Sequence, residues 1–210
     1  MACIKRYGSN YCPISSMVLM PDPVLRLSAQ TLTEADRRVV AAWAADCAER
    51  VLGLFEAEAA GDRRPREAIA RARAFAHGES TVGEEIRRRF MSGGAARDVR
   101  APAAAAAARS AGQAAAVAHM GAHALGAAAY AARAAGLAAP DREDAVGAEV
   151  RWQLRHLSPA AREALRKLPD VGENASGPLG PGLLASGVLG SIIRDLQAGL
   201  AHPDEEDTWR

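Results

Sequence analysis

Aromatic residues make up only 4% of this 210-residue chain, although apolar residues reach 49%. Strands rely on aromatic and β-branched side chains to cover a pleated surface, so this shortage argues against a β-protein. Cysteine is scarce too. Cys3, Cys12 and Cys47 are the only three, with no CxxC among them, which excludes a disulfide framework and suits a reducing, cytoplasmic setting. Net charge is nearly absent: 26 basic against 25 acidic residues leave +1, so no global field points to nucleic acid or an anionic membrane. No run of 18 strongly apolar residues occurs, and the longest alanine stretch is broken by Arg109, Gln113, His119 and His123. The first 20 residues lack a continuous apolar segment, so no signal peptide is expected. GxxxxGK[ST] and GxSxG are both missing, which excludes a P-loop nucleotide site and a nucleophile elbow.

Alanine and arginine fill these gaps. Alanine occurs 50 times, and 24 of the 26 basic residues are arginine, Lys5 and Lys167 being the exceptions. Both excesses fit the codon usage of a GC-rich bacterial genome. Alanine is also the best helix former, so an all-α chain packed closely on small side chains is expected. Residues 1–20 differ in composition from the rest of the chain and read as a disordered or mis-started extension. Residues 21–201 read as one helical domain, and 202–210 as an acidic, frayed tail.

Helix signals succeed one another along that domain. Thr33 to Asp36 reads as a capping box before the apolar stripe Val40, Trp43, Cys47, Val51 and Leu54, in which Cys47 is a small buried hydrophobe. Pro65 starts a second helix and Thr81-Val-Gly-Glu84 caps a third, basic one. From Pro102 to Gly136 the chain is almost wholly helix-compatible and carries little bulk, with a bend or break expected near Gly121. A buried central helix surrounded by bulkier partners is the expected role. Pro140-Asp141 and Ser158-Pro159 open two more helices, and the apolar stripe from Leu183 to Leu196 makes the last. About seven helices around the alanine-rich one is the expected architecture.

Chemistry concentrates in few places. His119 and His123 stand at i, i+4 spacing, which sets two imidazoles on one helix face in the geometry of paired metal ligands. A zinc-type ion there would need a third ligand from His156, Glu149 or Asp144, because no carboxylate occurs between Val99 and Pro140. The pair can equally line an internal polar pocket, closed by Tyr130 two turns further on, or be structural. Trp152 and His156 repeat the i, i+4 spacing beside Arg151 and Arg155. They form either a stacking surface for a ligand or partner, or a core tryptophan beside solvated arginines. The GPLGPG loop at 177–182 loses donors at its two prolines and reads as a structural turn.

The segments ARSAGQAAAVAHMGAHALGAAAYAARAAG (108–136), VRWQLRHL (150–157) and GPLGPGLLASGVLGSIIRDLQ (177–197) together resemble the immunity-five-like family of immunity proteins. The resemblance runs from about Leu32 to Gln197. It implies a helical protein that neutralises a toxin partner, and it carries over no catalytic residue. Two functions are therefore expected to compete. One is a binder that neutralises a protein toxin or toxic small molecule without turnover, needing no cofactor. The other is a helical metal-binding protein or enzyme built on His119 and His123.

Overall fold

The computed structural model describes residues 28–88 and 94–202. The expectations for residues 1–20 and for the acidic tail beyond His202 lie outside the described residues. Among those described, the structure is all helical, with eight α-helices, in keeping with the expected number of about seven. They are α1 (Glu34–Glu56), α2 (Arg64–Ala76), α3 (Val82–Arg88), α4 (Pro102–Ala116), α5 (His123–Ala138), α6 (Ala145–Arg155), α7 (Pro159–Arg166) and α8 (Gly187–Ala201). Helices α1, α4 and α5 pack on one another at the centre. α2 lies against α1 and α4, α6 against α5 and α8, and α7 against α1 and α8.

The expected caps form. The Asp36 N–H donates to Thr33 Oγ1 at 3.1 Å, and the Ala161 N–H to Ser158 Oγ at 3.1 Å. Thr81 and Glu84 make the reciprocal box, the Thr81 N–H donating to Glu84 Oε2 at 2.8 Å and the Glu84 N–H to Thr81 Oγ1 at 3.3 Å. Carbonyls near the C-terminal ends are taken largely by arginine. Arg38 donates to the Phe75 carbonyl of α2, while Arg162 and Arg166 donate to Gly199 and Leu200 of α8 at 3.0 and 2.7 Å. Cys47 is fully buried, and that burial pushes its thiol well above the ordinary range, so it is an inert core residue.

The extra helix comes from the alanine-rich segment, which is two helices and not one. The N–H groups of Gly121 and Ala122 donate to the Thr31 and Gln30 carbonyls at 3.0 and 2.9 Å, outside any helix ladder. Leu32, the residue after that strap, has a left-handed φ of 61° and lies against Gly121, where a Cβ would come within 2.5 Å of Leu32 Cδ1. Only glycine admits this approach. Gln30 is clamped in turn, donating to the Ser176 carbonyl at 2.7 Å and accepting from the Leu179 N–H at 2.9 Å. The strap, the break and the 176–179 loop are thus one hydrogen-bonded unit.

Beyond the break the chain folds back as an antiparallel hairpin of α4 and α5. Ser110 Oγ donates to the Ala127 carbonyl at 2.7 Å, with both residues fully buried. Two other boundaries differ from expectation. Pro140-Asp141 leads into turns, the N–H groups of Arg142 and Ala145 bonding to Ala139 and Arg142, so α6 begins only at Ala145. Leu183–Ala185 is a 3-10 turn, and α8 starts at Gly187, whose φ is +55°.

Ala127 is fully buried at the α4–α5 contact, and its carbonyl is bonded to Ser110. Ala127→Leu is expected to cost about 1–3 kcal/mol through overpacking, read as a lower urea midpoint. Ala116→Leu, at the half-buried end of α4, is expected to cost less. Equal midpoints for both variants and the parent chain would show that α4 and α5 do not pack closely.

Candidate functional site

His123 is the first residue of α5, but His119 lies in the turn before it, so the pair is not carried on one helix face. The turn still brings them together: the ring centroids are 5.0 Å apart, edge to face at 60°. His123 Nδ1 is 2.7 Å from Gln113 Oε1 of α4. An amide oxygen only accepts, so Nδ1 carries the proton and Nε2 is the acceptor nitrogen. Gln113 reaches across the hairpin because residue 126 is glycine; a Cβ there would meet Gln113 Oε1 at 2.5 Å and Leu184 Cδ1 at 3.0 Å. Burial, helped by the neighbouring His119, pushes the His123 pKa down to about 3. The ring stays neutral near pH 7, a hydrogen-bonding group and a weak base.

Tyr130 sits further along α5, 3% exposed, and burial raises its hydroxyl pKa. Its ring lies 6.0 Å from the Arg109 guanidinium of α4, and no hydrogen bond joins it to His123. The candidate third metal ligands are engaged elsewhere. Glu149 pairs with Arg50, Asp144 with Arg151, and His156 stacks on Trp152. Among the described residues, no group of three or more His, Cys, Asp or Glu side chains is placed to hold a metal ion.

The second candidate forms a separate cluster on α6. Gln153 faces inward, fully buried, with Nε2 donating to the Ala128 carbonyl of α5 at 3.1 Å. The Gln153 backbone carbonyl accepts from Trp43 Nε1 of α1 at 2.9 Å. These bonds fix the rotation of α6, so that its neighbour Trp152 is half-buried. The Trp152 and His156 rings stack at 3.9 Å and 21°, with His156 Nδ1 donating to the Trp152 carbonyl at 2.8 Å. The Arg50 guanidinium of α1 lies 3.7 Å from the Trp152 ring centroid. Arg50 also forks onto buried Glu149, Nε and Nη2 donating at 3.0–3.1 Å. Trp152 and His156 therefore stack on each other, the indole half-buried and the imidazole exposed.

Arg50 was not visible as a site residue in the sequence, because its partners lie about a hundred positions away. A cleft of about 350 Å³ opens beside it, between α1, the end of α5 and the start of α6. A second one of about 240 Å³ separates α6 from α8. Among the described residues, no helix is long and apolar enough to cross a membrane.

A family model described as "Imm-5 like putative immunity protein" matches residues 30–160. The matched span takes in α1 to α6 and every site residue named from the sequence. It ends before the GPLGPG loop and α8. No curated protein and no solved structure matches the chain.

The low His123 pKa ties stability to pH with a definite sign. Between pH 6.5 and about 3 the unfolded chain binds a proton on this imidazole that the folded chain does not. Its contribution is therefore complete above pH 6.5 and is lost as pH falls toward 3. Urea unfolding at pH 7, 5.5 and 4 should show this loss, and His123→Asn should make the profile flatter. An unchanged slope in the variant would place the acid sensitivity elsewhere.

Proposed function

The chain belongs to the family of Imm-5 like immunity proteins, and from that premise we propose that it neutralises a toxin by binding it, without turnover. The family match is the observation that carries this reading. The partner is a protein toxin or a toxic small molecule, and the setting is the bacterial cytoplasm. The chemistry of the site supports binding over catalysis. His123 is held neutral and weakly basic, and Glu149 is tied to Arg50. Polar side chains of the interior mostly serve as ties between helices.

Trp152, His156 and Arg50 are the proposed recognition residues. Tryptophan and arginine are the side chains that most often anchor interfaces, because each covers a large area at low entropic cost. Here Arg50 and His156 hold the indole in place before any partner arrives. His119, His123 and Tyr130 form the proposed internal polar site, holding the α4–α5 hairpin behind that surface.

A metal reading on His119 and His123 keeps one observation in its favour: the rings are 5.0 Å apart, and His123 Nε2 is an acceptor. Elemental analysis of the purified protein addresses it, and one equivalent of zinc would replace the binding reading for this pair.

The toxin that this chain is proposed to neutralise is the reagent for the functional test. Titration calorimetry is expected to give a one-to-one complex, and growth rescue should require stoichiometric amounts of this chain. Trp152→Ala is expected to weaken the complex by about 2 kcal/mol or more. His119→Ala/His123→Ala is expected to lose stability and keep its toxin affinity. Rescue at far below one equivalent would show turnover and end the proposal.

A further inference from the structure

The cleft between α1, α5 and α6 has an uneven charge that its apolar walls make consequential. Most of its surface comes from Val51, Leu54 and the alanines of α5, α6 and the turn that joins them. Three ionisable residues line it: Arg50, Arg142 and Glu149. Glu149 is spent on Arg50 through the forked pair, its side chain 6% exposed. The Arg142 guanidinium has no hydrogen bond or ion pair among the described residues. Asp144, which feels its charge, is already bonded to Arg151, while Asp141 and Glu143 flank Arg142 in the sequence and do not line the cleft. Arg50 likewise keeps Nη1 without a partner among those residues, since Nε and Nη2 serve Glu149. Among the lining residues, two cations and one paired carboxylate leave one positive charge beside mostly apolar walls.

We infer that this cleft is a binding site for a monocarboxylate with a short apolar body. Charge complementarity selects the monoanion, because a second negative charge would find no second free cation. The guanidinium fork matches a carboxylate in shape and is weakly hydrated, so it suits a partly desolvated site. The apolar body is needed because an exposed ion pair with Arg142 contributes little by itself. Alanine, valine and leucine walls supply the rest by removing apolar surface from water. At roughly 30 Å³ per water, the volume is that of about a dozen waters, enough for a benzoate-sized ligand. Such a carboxylate can belong to a free acid or to an acidic side chain of a bound protein. The test does not depend on toxin neutralisation, since a small probe can be added to the protein alone.

Titration calorimetry of the full chain with benzoate is the test, with benzamide as its neutral isostere and acetate as the acid without a body. One equivalent of benzoate is expected to bind with a Kd of about 1 mM or tighter, and neither control should saturate. Arg142→Gln should weaken benzoate at least tenfold. It removes no bond among the described residues, so the fold is expected to persist. Ala138→Phe, which narrows the cleft, should weaken it as well, and Arg155→Gln, outside the cleft, should not. N-acetyl-leucyl-glutamate amide separates the two sources. Competition with benzoate assigns the site to a protein's acidic side chain, and benzoate binding without competition assigns it to a free acid. Either result supports the site. No saturable benzoate binding, equal binding of benzamide, or an undiminished affinity in Arg142→Gln would overturn it.

Discussion

The hydrogen bond from Ser110 to the Ala127 carbonyl sits at the contact on which the rest of the molecule depends. A side chain as short as serine reaches a backbone carbonyl of a neighbouring helix only when the two helices lie very close. Methyl groups on both surfaces permit that distance, and dispersion across it compensates for the lack of bulk. With α4 and α5 so near, Gln113 crosses to His123 through the space left open by Gly126. The same closeness buries His123 enough to keep it uncharged. Larger side chains from α1, α2 and α8, among them Phe55, Phe75 and Ile193, then fill the surroundings.

Arginine does the complementary work at the edges of this small-residue core. Its planar, multi-donor head satisfies carbonyls near helix ends that would otherwise face water, as Arg38, Arg162 and Arg166 do. Lysine, a single point charge on a flexible stem, is a poorer substitute for that task. Arg50 joins this structural use to recognition. One edge of its head binds Glu149, its face covers Trp152, and it also lines the neighbouring cleft. The proposed toxin surface and the proposed carboxylate site therefore share a residue whose position is set by the packing of α1 on α6.

Local signals in the sequence carried far. Thr33, Thr81 and Ser158 mark helix starts because a cap is made within three residues of itself, with no help from the rest of the chain. The stripe through Val40, Trp43, Cys47 and Val51 marks the buried face of α1, since helical period alone decides which residues share a face. The all-α class follows from alanine abundance and aromatic scarcity. The spacing of His119 and His123 placed the two imidazoles near each other, although the geometry behind it was wrong: a turn brings them together, not a helix.

Composition and local pattern thus determined the helical class, most helix starts and the buried face of α1. Although Gly121 marked the place of the break in the alanine segment, tertiary structure decided that the chain parts there into two helices, because the carbonyls that take the Gly121 and Ala122 N–H groups come from residues 30 and 31. It also decided the ionisation of His123, since burial follows from the approach of a second helix. The Arg50–Trp152 stack belongs to the same class, its halves separated by more than half the length of the described chain. The physical reason is common to all three. Propensity and capping act over a few residues, whereas burial, charge pairing and competition for backbone hydrogen bonds depend on what the finished fold places alongside.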